Sequence, residues 1–118
     1  MKTTKTHFAE FKKYHAEYLE RFGLLQWRCE YSHQHLQDSY AETAMKFIGK
    51  VAMVALATNW RDTRPLNSES LRRLAKHEAN HMLVHSLYWH ATARYISRDT
   101  LCEAEESLVR TLDQLIPD

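Results

Sequence analysis

The chain has 118 residues, of which 44% are hydrophobic and 26% charged. That length suits one domain, residues 1–118, and the apolar fraction is too high for a disordered chain. Sixteen Lys and Arg against fifteen Asp and Glu leave a formal net charge of +1, without the cationic surplus of a dedicated nucleic-acid binder, so no nucleic-acid partner is expected.

No apolar run approaches the roughly 20 residues that span a bilayer. Met1-Lys2-Thr3-Thr4-Lys5 leads into a charged stretch rather than the apolar core of a secretion signal. The expectation is therefore no membrane association and a cytoplasmic location, with Cys29 and Cys102 as reduced thiols.

Phe8, Phe11, His15, Tyr18 and Phe22 recur at three- and four-residue steps, which predicts a helix with one aromatic face. Thr6 is a candidate N-cap and Gly23 the residue just past the end. His15 falls on the aromatic stripe and reads as a buried structural histidine. From Leu24 to His33 the period drops to two. Trp27, Cys29 and Tyr31 share one side and Arg28, Glu30 and Ser32 the other, as in a half-buried strand.

A polar connection, residues 33–39, leads to a second strand over Tyr40–Phe47 and a hairpin turn at Ile48-Gly49-Lys50. Val51–Leu56 is apolar on both faces and suits a strand covered by helices. Two or three strands are expected in all, in a small antiparallel or mixed sheet. Trp60–Leu66 reads as a loop, since Pro65 disfavours helix before it. Asn67 or Ser68 can cap a helix running to about Tyr88, with Glu69 in its first turn. Residues 94–99 break the pattern, and Asp99 or Thr100 opens a last helix that ends before Pro117. The fold class is α+β, in the order α-β-β-β-α-α.

Eight histidines are present, and His77, His81, His85 and His90 fall within fourteen residues. His77-Glu78-Ala79-Asn80-His81 matches H-E-x-x-H. Residues four apart lie one turn apart on a helix, so two imidazoles can converge on one zinc at about 2.0–2.1 Å. Glu78, about 100° round the helix from His77, can reach a bound water without being a ligand, as a general base must. With eight His and ten Glu in the chain, chance yields roughly 0.04 such matches.

A catalytic zinc keeps three protein ligands and one open position. Phased against Leu101, Leu108, Leu112 and Leu115, Glu105 falls inside the apolar stripe of the last helix, about 40° from Leu101, while Glu103 faces solvent and Glu106 lies on the flank. A carboxylate on a buried face needs compensation, and a metal supplies it. Glu105 is thus the expected third ligand; pairing with Arg94 or Arg73 is the plainer alternative. His85, one turn beyond His81, could complete an all-histidine site or stand behind the ligands. Tyr88 and Tyr95 are candidate donors to an oxyanion, and Trp60 and Trp89 candidate cleft walls, although core packing is the favoured reading of all four. His33 and His35 are a weak pair for a second metal.

With Leu71–Leu83 and Glu105–Leu112 in view, the chain resembles the small HExxH proteins of phages and prophages, minimal zincin-like metallopeptidases of gluzincin type. More distantly it resembles the SprT-like and ImmA/IrrE peptidases. The likeness extends over most of the chain, but only the HExxH element is specific. It implies a minimal zincin-like fold and Zn2+ held by His77, His81 and a glutamate. In some gluzincins that glutamate precedes an alanine, which points to Glu103 instead of Glu105.

The resemblance also implies a zinc metallopeptidase acting on a specific protein or peptide substrate, with zinc-bound water activated by Glu78. Val51–Thr58 or its neighbour would be the strand along which the substrate lies. Two departures weaken general proteolysis: no Asn-Glu-Ala-x-x-Asp segment follows, and the subdomain that closes the cleft of larger gluzincins is missing. The alternative is a non-catalytic binding module on a zincin scaffold, such as a phage protein that inhibits a host factor. The residue pattern carries no signal for an oligomeric state.

Overall fold

A computed structural model describes residues 1–61 and 63–116. In chain order the elements are α1 (Lys5–Arg21), β1 (Arg28–Gln34), β2 (Ala41–Lys46), β3 (Val51–Ala57), α2 (Ser68–Thr92) and α3 (Arg98–Leu115). The expected α+β class and element order are present. Asp62, in the expected loop, and Pro117, beyond the last helix, lie outside the described residues.

Helix α1 starts two residues earlier than the Thr6 cap implied. The Thr4 hydroxyl accepts from the His7 N–H at 3.2 Å, while His7 Nδ1 accepts from the Thr4 N–H at 2.9 Å. Each side chain thereby satisfies a backbone donor that the helix end leaves without a partner. At the other end Gly23 takes φ +71°, the left-handed conformation expected just past a helix.

The sheet has the order β1-β3-β2. Strand β2 pairs antiparallel with β3, from Ala41 opposite Leu56 to Lys46 opposite Val51. Strand β1 instead pairs parallel with β3, from Arg28 opposite Val51 to Gln34 opposite Ala57. Of the two arrangements expected, antiparallel or mixed, the sheet is mixed, and only the hairpin is antiparallel. Alternation along a strand fixes which side chains share a face, but not which strands become neighbours. Here β2 leads the chain back across the sheet, and β3 inserts between the two earlier strands.

Both helices α1 and α2 lie on one face. Phe11, Tyr18 and Leu19 of α1 and Phe22 just past it meet Ala52, Val54 and Leu56 of β3 and Leu71, Leu74, Ala75, Ala79 and Met82 of α2. A large side chain buried in this way stabilises the fold by about 1.5–3 kcal/mol. The opposite face has no helix on it and is open except at one end, where Ala55 and Ala57 are buried with Leu36. Arg28, Glu30, Ser32, Glu42, Ala44 and Lys46 are exposed there, and Met53 is 47% exposed. Helical cover for β3 is thus found on one side only, a correction to the reading of its apolar run. Helix α3 has no buried residue and rests on α2 through the half-buried Leu101, Ala104, Leu108, Thr111 and Leu115.

His15 is buried as expected, 0% exposed. Its Nδ1 lies 2.8 Å from the Tyr31 hydroxyl, and its Nε2 has no hydrogen-bond partner among the described residues. Burial pushes its pKa down from 6.5 to about 4. The unfolded chain therefore binds a proton that the folded one refuses between those values. The associated stability is fully present above pH 6.5, falls as pH falls towards 4, and levels off below. A shift of this size corresponds to about 3 kcal/mol. In metal-free protein, urea midpoints at pH 7 and pH 4.5 should show that loss, and His15→Gln should remove most of it. An equal loss in the variant would place the acid-sensitive group elsewhere.

Candidate metal centre

Helix α2 is capped by Asn67, whose side chain accepts from the Ser70 N–H at 2.9 Å, and Glu69 lies in its first turn as expected. Its buried residues are Leu71, Leu74, Ala75, Glu78, Ala79 and Met82. At about 100° per residue these form one stripe, on which Glu78 is the only charged member. His77 and His81 fall about 100° and 60° to one side of Glu78, and both are exposed. The helical period thus places two imidazoles on the shoulder of the core and a carboxylate within it.

The Nε2 atoms of His77 and His81 are 3.2 Å apart. Two nitrogens bound tetrahedrally to zinc at 2.0–2.1 Å are separated by about 3.3–3.4 Å. The pair therefore already stands near ligand spacing. Ligand atoms of His77, Glu78 and His81 all lie within 4.8 Å of one another.

Glu78 is 4% exposed, and its Oε1 accepts a 2.7 Å hydrogen bond from the Thr43 hydroxyl. Among the described residues it takes part in no ion pair. A buried carboxylate with one neutral donor and no counter-charge is costly, and a divalent cation beside it would offset that cost. Two imidazoles are nitrogen donors that suit zinc, and Glu78 stands beside them as a charge and not as a ligand. On these observations the residues present fit the metal.

The structure does not bring Glu105 to this group. It is exposed on α3, and the His77–Glu78–His81 cluster is the one such group among the described residues. The reason lies in the phase of α3. Its half-buried face includes Ala104 and Thr111 as well as leucines, which moves the centre of the stripe to about 80° from Glu105. Glu103 and Glu106 are exposed too, with Glu106 3.5 Å from Arg110.

His85 also stands apart. Its ring lies 5.8 Å from Trp27 and 6.3 Å from Phe47, and burial, then nearby Lys50, lowers its pKa. His90 lies within α2, not beyond it, and its Nδ1 meets the Ser86 carbonyl at 2.8 Å. Tyr88 and Tyr95 are 65% and 88% exposed. Trp60 is core, and Trp89 stacks on Phe47 at 4.5 Å. His33 packs on Phe8 and bonds Thr3, while His35 is exposed.

Two features beside the histidines escaped the sequence reading. One is Thr43, a strand residue indistinguishable in sequence from any other half-buried threonine. The other is which strand is free: the expected Val51–Thr58 is central as β3, and its neighbour β2 is at the edge. The Ala57 N–H donates to the Tyr40 carbonyl at 2.8 Å, so Tyr40 and Ala57 form a hydrogen-bonded pair. Alternation along the register then turns the N–H and C=O groups of Ala41, Thr43 and Met45 outward, away from β3. Beside that edge lie two cavities of about 720 and 780 Å3, which meet at Ala41, His77 and Glu78. One extends past Thr43 to Met45 and round to the open sheet face at Met53; the other reaches Asp38, Arg64 and Arg73.

No protein-family model, curated protein or solved structure matches the chain. The centre therefore stands on its own geometry, which yields a ligand prediction. In competition titrations with a zinc chelator, His77→Ala and His81→Ala should each weaken binding by more than about 100-fold, beyond the usual effect of outer partners. Glu105→Ala should bind as the parent does. A Glu105→Ala variant that loses zinc would show that α3 reaches the centre.

Proposed function

We propose that the protein is a zinc-dependent peptidase of minimal zincin type, like the small phage and prophage HExxH proteins it resembles, acting on an extended segment of a protein or peptide. One observation carries this reading: a histidine pair at zinc-ligand spacing brackets a buried carboxylate beside an unpaired strand edge. His77 and His81 would hold the ion. Bound there, zinc would polarise the scissile carbonyl and acidify the attacking water.

The remaining work falls to side chains and backbone of this chain. Ala41, Thr43 and Met45 offer outward backbone groups to which an extended substrate can pair as an added strand. The cavities continue on both sides of His77 and Glu78, so the substrate chain need not end there. Glu78 orients the water, takes its proton, and returns that proton to the leaving amine.

A second reading is favoured by the position of Glu105. With His77, Glu78 and His81 as the only group of candidate ligands among the described residues, the scaffold would serve as a binding module for a partner protein. Catalysis and binding separate in one experiment. Zinc-loaded parent, chelated parent and Glu78→Gln are incubated with N-acetylated, C-amidated random dodecapeptides, and new amino termini are counted. The peptidase should cut only when loaded, and Glu78→Gln should be slower by about 100- to 10,000-fold while retaining its zinc. Absence of new termini with the loaded parent would sink the catalytic reading and favour the binding module.

A further inference from the structure

Thr43 stands in the middle of the three residues whose backbone groups face away from β3, and its side chain turns the other way, into the helix-covered side of the sheet. There the hydroxyl donates to Glu78 Oε1 at 2.7 Å. Glu78 is 96% removed from solvent, as its 4% exposure requires, and no other hydrogen bond or ion pair holds it among the described residues. One residue therefore touches both the place where a chain can dock and the carboxylate that would act on it.

On the hydrolytic reading above, we infer that Thr43 is a positioning residue that couples occupation of the β2 edge to the orientation of Glu78. Its hydroxyl occupies Oε1 and leaves Oε2 as the acceptor for the proton of the attacking water. Once Oε2 carries that proton, Oε1 is a carbonyl oxygen and still accepts from Thr43. The bond thus persists in both states and transfers no proton itself. A β-branched side chain has few χ1 choices, so the direction of the hydroxyl follows the backbone of β2. A peptide paired to the Thr43 N–H and C=O fixes that backbone, and through it the plane of the carboxylate.

The test uses the full chain as parent, Thr43→Val, which removes only the hydroxyl at nearly constant shape, and Thr43→Ser, which restores it. The first readout is the side-chain carboxyl carbon of Glu78, followed by carbon-13 NMR in metal-free protein at neutral pH. It should differ from the exposed glutamates in the parent and in Thr43→Ser, and move towards them in Thr43→Val. Capped random dodecapeptides should slow hydrogen exchange at the Ala41, Thr43 and Met45 amides in all three proteins. They should shift the Glu78 carbon in the parent and in Thr43→Ser, but not in Thr43→Val. Zinc stoichiometry should be equal throughout, and where the parent cuts a peptide, Thr43→Val should lower kcat by about 100-fold at unchanged KM.

A Glu78 signal indifferent to Thr43→Val would overturn the inference, as would peptides that leave the edge amides unprotected or shift the signal equally in all three proteins. A parent that cuts, with Thr43→Val cutting as fast, keeps hydrolysis and rejects the role of Thr43. A parent that cuts nothing while the carbon and exchange readouts behave as expected rejects hydrolysis. Thr43 then remains the link between the strand edge and the carboxylate.

Discussion

The burial of Glu78 against the sheet is the constraint on which the arrangement turns. Helix α2 must present Leu71, Leu74, Ala75, Ala79 and Met82 to the core, and the helical repeat leaves no freedom in where the intervening residues fall. Glu78 is carried into that stripe, while His77 and His81 are carried to its exposed shoulder. Rotating the helix to release the carboxylate would withdraw five apolar side chains from the core. The hydroxyl of Thr43 is the local answer to the polar group so buried, and it is available only because β2 lies at the sheet edge nearest α2. Core packing, strand order and the candidate centre are therefore one problem with one solution.

The parts legible in the sequence were those governed by local periodicity. The aromatic stripe of α1 placed His15 in the core, where it lies. The alternation around Tyr31 assigned the faces of β1, and the four-residue step from His77 to His81 brought their nitrogens together. What escaped was governed by partners distant in the chain. The parallel pairing of β1 with β3 and the edge position of β2 depend on how three strands are ordered, which alternation does not encode. Thr43 acquires its meaning only from a partner 35 residues away. Glu105 failed for a subtler reason: counting leucines alone gave the stripe of α3 the wrong centre, because Ala104 and Thr111 also face α2. On a helix with no fully buried residue, small and polar side chains weigh as much as large apolar ones in setting the phase.

Stability and the candidate centre also draw on different parts of the molecule. The first half of α2 is locked into the core, whereas no residue of α2 after Met82 and none of α3 is fully buried. The histidine pair belongs to the locked half, one turn or less from buried residues on either side. Its geometry can therefore be held without help from α3, whose main contacts with the body are made through α2. A ligand supplied by α3 would have tied the centre to the least buried helix of the fold. A centre built from adjacent turns of α2 avoids that dependence but provides fewer donors.

The cost of Glu78 bears on which reading of the site is more economical. A folded domain of this size is stable by only about 5–15 kcal/mol. Burying a carboxylate with a hydroxyl partner and no counter-charge works against what packing supplies. An apolar side chain in the same stripe would fill the space without that penalty, so packing alone gives no reason for a glutamate there. A scaffold used only to display a surface has no use for it either, since 96% of the residue is hidden, given its 4% exposure. The cost is intelligible if the carboxylate interacts with a cation or a reacting proton beside it, and the two groups that could hold a cation are the adjacent imidazoles, 3.2 Å apart. Costly ionisable groups cluster where chemistry is done, and in this chain the buried carboxylate and the candidate ligand pair occupy adjacent turns of one helix.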